Sequence, residues 1–290
     1  MEKLSGLNNI GNTCYMNSAL QLLLNCKVLT QILLNYNLKS EILNNVKLFI
    51  KDYNKEGVST PSTIKDIIQK YDKMFLGSKQ QDAGEFLIKF LDIIEEEFKK
   101  EDNSNISGIS LNDLISTIFD SNTTSIIFCD KYNEKSKNKD KVRILSLAIP
   151  NENNLNLSKC IDYYSKIEKL TDDAKWFYEK NNEYVDAYKR LYIRNLSKYL
   201  IIHLKRFTFF SNSMKDNREV CVDEQLTFRD KTYELRSIIY HMGGTNGGHY
   251  INLTKCKNIW YICDDSRVNQ VDDIKKYLNK GYIYLFVKKK

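Results

Sequence analysis

The sequence predicts an α+β protein in which a helical lobe packs against a mostly antiparallel sheet. Apolar residues recur at helical spacing mainly within residues 1–100. From about residue 116 the chain changes to short runs of β-branched and aromatic residues, which are typical of strands. Because the helical segment comes first and the strands follow it, the two kinds of element are expected to form separate lobes.

Helices are predicted where apolar side chains repeat every three or four residues. The repeats cover residues 19–24, 42–50 and 83–98, and helical periodicity returns locally around residues 157–191. Strands are predicted for the runs TSIIFCD, RILSLAIP, YLIIHLKRF, YELRSIIYH, HYINLTK, WYICDD and YIYLFVKK. The polar stretch NEKSKNKDK is expected to form a mobile hairpin tip.

The composition is that of a globular protein that stays inside the cell. The chain has 290 residues, of which 42% are apolar, and this is enough for a substantial core. The sequence contains no run of about 18 apolar residues, which a membrane-spanning helix would need. The first residues lack the basic flank and the apolar run of a signal peptide. The seven cysteines are therefore expected to be reduced thiols. The net charge of +7 comes from lysines spread among many acids, so we expect no nucleic-acid and no membrane partner.

Cys14 is the candidate nucleophile among the cysteines. It follows Asn12 and Thr13 where a loop changes to an apolar helix, and either of these two residues is suited to cap that helix. A thiol in the first helical turn lies at the positive end of the helix dipole, which favours the thiolate and lowers the pKa. A buried helix cysteine without a catalytic role is the alternative that this segment alone leaves open.

His249 is the candidate base, because it follows two glycines and begins an alternating strand. The chain then turns near Lys257 and Asn258 and continues into a second strand that ends in Asp264 and Asp265. If the two strands are adjacent, an acid lies beside His249 and orients the imidazole, as in a catalytic triad. Taken alone, a surface histidine and a turn-forming acid pair explain the same residues.

The other two histidines are assigned to different positions. His203 lies in the alternating run YLIIHLKRF, where packing or a structural hydrogen bond is the expected role. His241 precedes a glycine pair and is interpreted as a loop residue near the site.

Four segments, taken in order, resemble those of a known family. They are GLNNIGNTCYMNSALQLLLN around Cys14, then QQDAGEFL, YLIIHLKRF, and GGHYINL followed by WYICDDS. They are similar to the cysteine box, glutamine–aspartate segment, central strand and histidine box of the ubiquitin-specific proteases, which are cysteine deubiquitinases. The resemblance spans residues 6–287. It implies one catalytic domain with a papain-like cysteine protease core, in which a helical thumb (about 1–115) is followed by fingers and palm (about 116–290).

The resemblance also implies a role for each matching residue. Cys14 is the nucleophile, His249 the general base, and Asp264 the acid that orients the imidazole. Asp265 matches a second acid that assists or replaces the first in this family, and the sequence does not rank the two. Asn9 matches the side-chain amide that binds the oxyanion together with the Cys14 backbone N–H.

The same resemblance implies the substrate and how its tail is held. The enzyme is expected to hydrolyse bonds at the C-terminal glycine of ubiquitin, with ubiquitin and ubiquitinated proteins as partners and the chain acting as a monomer. Gly247, Gly248 and Tyr250 are expected to line the channel for the Gly-Gly tail. Asp82 is expected to contact the arginine-containing part of the tail. Asp82 is also suited to cap the helix that follows it, and the two roles are compatible.

No metal or organic cofactor is expected. Many relatives carry two CxxC pairs in the fingers, and these four thiolates bind zinc. Here the positions fall on Cys129 and Tyr132, and on Tyr178 and Asn181. One cysteine does not make a zinc site, so the fingers are expected to depend on apolar packing through residues 176–178.

Three other functions stay open from the sequence. A catalytically silent ubiquitin-binding scaffold would share the fold. A protease for another ubiquitin-like modifier would share the site, because tails that end in Gly-Gly look alike to the catalytic centre. A general papain-like peptidase is disfavoured by the long insertion between the cysteine and histidine segments.

Overall fold

The computed structural model of the chain describes residues 4–55, 57–101, 105–106, 108–208, 214–244 and 247–289. In these residues the helices are α1 (Cys14–Leu23), α2 (Lys27–Asn35), α3 (Glu41–Tyr53), α4 (Ser62–Tyr71), α5 (Ala83–Lys99), α6 (Leu114–Phe119), α7 (Leu157–Tyr164) and α8 (Lys275–Leu278). The strands are β1 (Gly6–Leu7), β2 (Val58–Ser59), β3 (Asn105–Ile106), β4 (Ile109–Ser110), β5 (Ser121–Cys129), β6 (Glu134–Val142), β7 (Ile144–Leu147), β8 (Glu168–Leu170), β9 (Trp176–Tyr178), β10 (Glu183–Val185), β11 (Ala187–Asn195), β12 (Tyr199–Leu204), β13 (Phe207–Thr208), β14 (Met214–Lys215), β15 (Gln225–Phe228), β16 (Lys231–Gly244), β17 (Gly247–Cys256), β18 (Ile259–Asp264), β19 (Arg267–Val271) and β20 (Ile283–Lys288). None of the helices in this part of the chain is both long and apolar enough to cross a membrane.

Helices α1–α6 form the thumb, and α1 lies at its centre. Every residue of α1 is buried, because α5 packs on one side of the helix and strand β17 on another. Helix α5 contributes an apolar face to this core that includes Phe86 and Phe98. Ser40 and Asp82 cap α3 and α5 by accepting hydrogen bonds from free backbone N–H groups. Burial of the whole of α1 fixes the position of Cys14, its first residue.

The palm is an eight-stranded sheet in the order β19-β18-β17-β16-β20-β12-β7, with β15 paired to β16. Neighbouring strands are antiparallel except for β12 and β7, which are parallel. One face of the sheet packs on the thumb, and the other carries a second core beneath α7 and α8. This is the predicted helical lobe against a mostly antiparallel sheet, so the α+β prediction is confirmed.

The fingers are a four-stranded sheet in the order β6-β5-β11-β8, accompanied by the hairpin of β9 and β10. The prediction of a hairpin tip for NEKSKNKDK is wrong, because most of this stretch forms β6 and pairs with β5 along its whole length. The predicted helical periodicity around residues 157–191 is correct only for α7. Strands β8–β11 follow, because the aromatic residues of that segment pair across strands.

Aromatic packing holds the tip of the fingers. Cys129 is fully buried, and the rings of Tyr132 and Tyr178 stack with their centroids 4.8 Å apart. The Trp176 ring packs on Tyr178 at 5.4 Å. Phe177 was expected to join this cluster but is 40% exposed, because neighbouring residues of a strand point to opposite faces. One thiol among aromatic rings does not fit the four-ligand site of structural zinc.

Candidate active site

Cys14 lies where the thumb meets strand β17 of the palm, with only 3% of the residue exposed. Thr13 is the N-cap residue of α1, but its hydroxyl accepts from the Ile10 N–H instead of from the helix. The Asn12 side chain donates to the Ser78 carbonyl. The prediction that one of these two residues caps α1 is therefore wrong, because the loop before α1 occupies the Thr13 hydroxyl and the segment before α5 occupies the Asn12 amide.

Burial raises the pKa of the Cys14 thiol above its ordinary value. Three donors oppose this effect: the backbone N–H of Tyr250, the side-chain amide of Gln80 and the backbone N–H of Tyr15. The nearby carboxylate of Asp265 adds to the rise, because it repels a thiolate. The lowered pKa expected from the helix dipole is wrong for the resting protein, since desolvation outweighs the donors.

A hairpin of the palm brings His249 and Asp264 together. His249 lies near the start of β17, β18 ends at Asp264, and the turn between the strands contains Lys257 and Asn258, both at positive φ. The imidazole Nε2 lies 2.6 Å from an Asp264 carboxylate oxygen. This bond leaves Nδ1 as the ring nitrogen that is free to accept a proton from a thiol. The predicted pairing of these two strands is confirmed.

The thiol and imidazole segments meet through the backbone of β17. Strand β17 packs on α1, and the backbone N–H of Tyr250, the residue after His249, lies close enough to the Cys14 sulfur to lower the pKa of the thiol. Within the described residues the thiol bonds Gln80 and not the His249 ring, which is bonded to Asp264. The two segments are therefore neighbours, and the thiol and the imidazole each bind a different partner.

Asp265 follows Asp264 but binds different partners. Its φ of 49° turns the chain away from β18, and its carboxylate accepts from the side-chain amides of Asn9 and Asn17, each at 2.8 Å. The side-chain oxygen of Asn9 in turn accepts from backbone N–H groups of the loop before α1, at 3.0 and 3.2 Å. The structure thus places Asp264 on the imidazole, and Asp265 on the amide predicted to bind the oxyanion.

His203 and His241 lie outside this arrangement. Burial lowers the pKa of each imidazole from 6.5 to about 4. The Nδ1 of His203 lies 3.1 Å from the Ser146 hydroxyl, so the expected structural hydrogen bond is confirmed. His241 is a buried residue of β16, and its assignment to a loop is wrong because the strand continues through the glycine pair that follows it.

Asp82 and Tyr250 are bound to each other inside the protein. One oxygen of Asp82 caps α5 and accepts from the N–H groups of Gly84 at 2.7 Å and Glu85 at 3.0 Å. The other oxygen accepts from the hydroxyls of Tyr282 at 2.7 Å and Tyr250 at 3.1 Å. Tyr250 is 4% exposed, so its ring belongs to the core and its backbone is the part that contacts the thiol. The helix cap predicted for Asp82 is confirmed.

Gly247 and Gly248 are exposed at the start of β17, immediately before His249. A Cβ on Gly248 would lie 2.2 Å from the Met242 carbonyl oxygen and 2.3 Å from the His241 ring. Only glycine therefore fits at position 248, where the backbone binds the same Gln80 side chain as Cys14.

Gln80 and Asn17 also belong to the site, although neither is among the residues predicted from the sequence. The Nε2 of Gln80 lies 3.5 Å from the Cys14 sulfur. Asn17 holds Asp265, as described above. The available signals were the place of Gln80 in QQDAGEFL and the position of Asn17 one helical turn after Cys14.

His249, Asp264 and Asp265 bring potential metal ligands within 4.8 Å of one another in the described residues. Their nearest atoms are already engaged, because Asp264 binds the imidazole and Asp265 binds two side-chain amides. The cluster therefore fits a hydrogen-bonded acid–base arrangement better than a metal site.

Known proteins resemble the chain in both sequence and fold. Residues 5–286 match the family described as ubiquitin carboxyl-terminal hydrolase. Ubiquitin carboxyl-terminal hydrolase 12 of Salmo salar is 26% identical over 334 residues, which cover 97% of this chain and 88% of that protein. The SAGA DUB module Ubp8/Sgf11/Sus1/Sgf73 bound to monoubiquitin has a TM-score of 0.79 at 24% identity. The same module bound to ubiquitin aldehyde has a TM-score of 0.80 at 23% identity, and each match covers 100% of this chain and 70% of the other. The two structures share the fold, and because the family match spans nearly the whole sequence, the chain belongs to the ubiquitin carboxyl-terminal hydrolase family of cysteine deubiquitinases.

Proposed function

We propose that the protein hydrolyses isopeptide and peptide bonds at the C-terminal glycine of ubiquitin, with Cys14, His249 and Asp264 as the triad. One observation carries the proposal: Asp264 orients the imidazole of His249 at the start of β17, and this strand packs on α1, whose first residue is Cys14. Nucleophile, base and orienting acid thus lie at one junction of thumb and palm. The ubiquitin bound in the two similar structures supports the choice of substrate.

The reaction proceeds by two acyl transfers. Nδ1 of His249 takes the thiol proton, and the Cys14 sulfur attacks the carbonyl carbon of the terminal glycine. The imidazolium then gives this proton to the departing amine as the C–N bond breaks, which leaves a thioester. In the second transfer, His249 takes a proton from water, the water oxygen attacks the thioester, and the sulfur leaves with the proton returned to it.

The base is needed because the resting thiol keeps its proton. Burial raises the pKa of Cys14, so most of the nucleophile is uncharged until a base removes the proton. The bond from Nε2 to Asp264 keeps Nδ1 unprotonated in the neutral ring and stabilises the imidazolium once it forms. The Cys14 thiol therefore acts as the acid and the His249 imidazole as the base, and the Asp264 carboxylate determines which ring nitrogen accepts the proton.

Asn9 and the Cys14 backbone N–H are the proposed donors to the oxyanion. A carboxamide has two N–H donors, and Asn9 uses one of them on Asp265 at 2.8 Å. The second donor is then available for negative charge that develops on the glycine oxygen. In this proposal the two acids divide the work, since Asp264 orients the base and Asp265 orients Asn9.

A ubiquitin probe with a C-terminal electrophile tests the proposal. We expect a stable adduct on the wild-type protein and none on Cys14→Ala. The matched control is Cys221→Ala, which removes an exposed free thiol and leaves labelling intact. An adduct that survives in Cys14→Ala, or a wild-type protein that does not react, would contradict the assignment.

The same assay separates the other functions. Probes built on other ubiquitin-like modifiers, used in parallel, identify a different substrate by faster labelling. A scaffold would bind ubiquitin without forming an adduct. A general peptidase would cleave short peptides that lack the ubiquitin body.

A further inference from the structure

Gln80 connects the thumb to the palm beside the nucleophile. It lies just before α5, and its side chain reaches both Cys14 and Gly248. Its Nε2, which carries two N–H donors, lies 3.5 Å from the Cys14 sulfur and 2.5 Å from the Gly248 carbonyl oxygen. Its Oε1 accepts from the Gly248 N–H at 3.0 Å. One neutral side chain therefore binds the thiol and both polar groups of a backbone residue.

The contacts of Gln80 fall on an open edge of strand β17. One side of β17 pairs with β16 as far as Gly247. On the other side, pairing with β18 stops at Asn252, opposite Cys263. Residues before Asn252 therefore have no neighbouring strand on that side within the described residues. Unpaired backbone groups of this kind need other partners.

Thumb residues supply these partners at alternate positions of β17. Backbone groups of every second residue point to the same edge of a strand. The N–H and carbonyl of Gly248 bind the Gln80 amide, and the N–H of Tyr250 lies close enough to the Cys14 sulfur to lower the pKa of the thiol. The amide thus exchanges two hydrogen bonds with Gly248, as a residue of an added antiparallel strand would do. The thumb closes the edge of the strand that carries His249.

From this geometry we propose that Gln80 is a positioning residue that holds the edge of β17 against the thumb and donates to the Cys14 sulfur, so that the thiol and the strand that carries His249 keep a fixed register before substrate arrives. The inference rests on the proposed function, in which His249 takes the thiol proton. Packing of α1 on β17 brings the segments of the thiol and the imidazole together, and a specific link between them would fix their register. Gln80 is that link, because it touches both sides.

The charged groups around the thiol define what each substitution does. Asp265 is the charged group that acts on the Cys14 thiol, and Gln80 is a neutral donor to the sulfur. Gln80→Ala removes the link and leaves the charges unchanged. Gln80→Glu keeps a carboxyl oxygen for the Gly248 N–H but loses both donors and adds a second carboxylate near the sulfur. Gln81→Ala is the matched control, because the Gln81 amide binds the Met74 carbonyl away from the thiol.

The experiment measures alkylation of Cys14 by iodoacetamide as a function of pH, with the modified peptide quantified by mass spectrometry. This readout needs no ubiquitin. We expect Gln80→Ala to slow alkylation at pH 7 about tenfold and to move the midpoint of the pH profile up by about one unit, since one hydrogen bond to a charged sulfur is lost. Gln80→Glu moves the midpoint further in the same direction, and Gln81→Ala leaves it in place.

Turnover of a fluorogenic ubiquitin substrate gives the second readout. We expect Gln80→Ala to lower kcat about tenfold or more with KM changed less than about twofold, because alignment of the site is lost and not the binding of the ubiquitin body. Gln80→Asn, whose amide is one methylene shorter, serves if the alanine variant unfolds, and it should show the same pattern.

Two results would overturn the inference: an unchanged pH midpoint in Gln80→Ala and Gln80→Asn, or an effect on KM alone. A shifted midpoint in a protein that never turns over ubiquitin would uphold the role of Gln80 and refute the proposed function. An unshifted midpoint in a protein that turns over ubiquitin would uphold the proposed function and refute the role of Gln80.

Discussion

Replacing Asp82 with alanine is expected to destabilise the protein strongly, although the family resemblance implies that Asp82 contacts substrate. The carboxylate has four hydrogen-bond donors around it. Two are backbone N–H groups at the start of α5, and two are the hydroxyls of Tyr250 and Tyr282. Both tyrosines are 4% exposed, so water replaces the lost acceptor poorly. Asp82→Ala therefore removes a helix cap and leaves two buried hydroxyls without their acceptor.

The magnitude follows from these parts. Loss of an N-cap costs about 0.5–2 kcal/mol, and a buried donor left without a partner costs about 1–3 kcal/mol. Partial exposure of position 82 lets some water enter, so we expect the free energy of unfolding to fall by about 3–5 kcal/mol in total. Asp82→Asn keeps an oxygen for the cap and should lose less than half of this.

Urea unfolding followed by circular dichroism measures the effect. The control is Asp72→Ala, because Asp72 also accepts from a backbone N–H, that of Met74, but has no buried tyrosine on it. We expect the control to lower the free energy of unfolding by no more than about 1 kcal/mol, the cost of one exposed cap. Adding Tyr282→Phe to Asp82→Ala should recover part of the loss, since it removes one of the unsatisfied hydroxyls.

A different result would refute this reasoning. Suppose that the free energy of unfolding of Asp82→Ala stays within about 1 kcal/mol of wild type and that KM for ubiquitin substrates rises instead. The carboxylate then contacts substrate, and its hydrogen bonds within the protein contribute little to stability.

Three further predictions follow from the site and the fingers. Asp264→Asn should lower kcat/KM about 10- to 100-fold, because the charge-assisted bond to His249 is lost, and a value within threefold of wild type would exclude Asp264 as the orienting acid. Tyr178→Ala should lower the free energy of unfolding by about 3 kcal/mol, because a buried ring is lost. A chelator should change the melting temperature of neither the variant nor the wild type. A melting temperature lowered by chelator would show a metal in the fingers. His203 and His241 have their pKa lowered from 6.5 to about 4, so the unfolded state binds more protons in this interval and stability falls as the pH drops through it. Each histidine contributes at most about 1.4 kcal/mol per pH unit. The decline, measured by urea unfolding between these pH values, should be smaller in His241→Gln, and an identical decline would contradict burial as its cause.

The sequence did not predict helices α2 and α4 or strand β6, and each case has a physical reason. Helices α2 and α4 each bury only three residues, so their periodicity is short and weak. Strand β6 alternates lysine with small polar residues and has no apolar face of its own. It is a strand because β5 offers it a full row of backbone partners. The β-propensity of these residues does not predict a strand that forms only because a neighbouring strand pairs with it.

The sequence by itself determined the elements that carry the chemistry. The apolar run after Cys14 required a buried helix, and the alternating strands around Lys257 and Asn258 required a hairpin with His249 at one end and two acids at the other. These patterns are local, because a buried helix or a half-buried strand requires apolar residues at regular spacing within its own segment.

Only the tertiary structure decided which groups touch. Asp264 and Asp265 are adjacent in sequence, and strand direction and a positive φ send one to the imidazole and the other to Asn9. The contact between Gln80 and Gly248 joins residues 168 positions apart. The raised pKa of Cys14 likewise depends on how tightly the palm closes over the first turn of α1. Such contacts arise from packing between distant segments, and packing leaves no periodic trace in either segment alone.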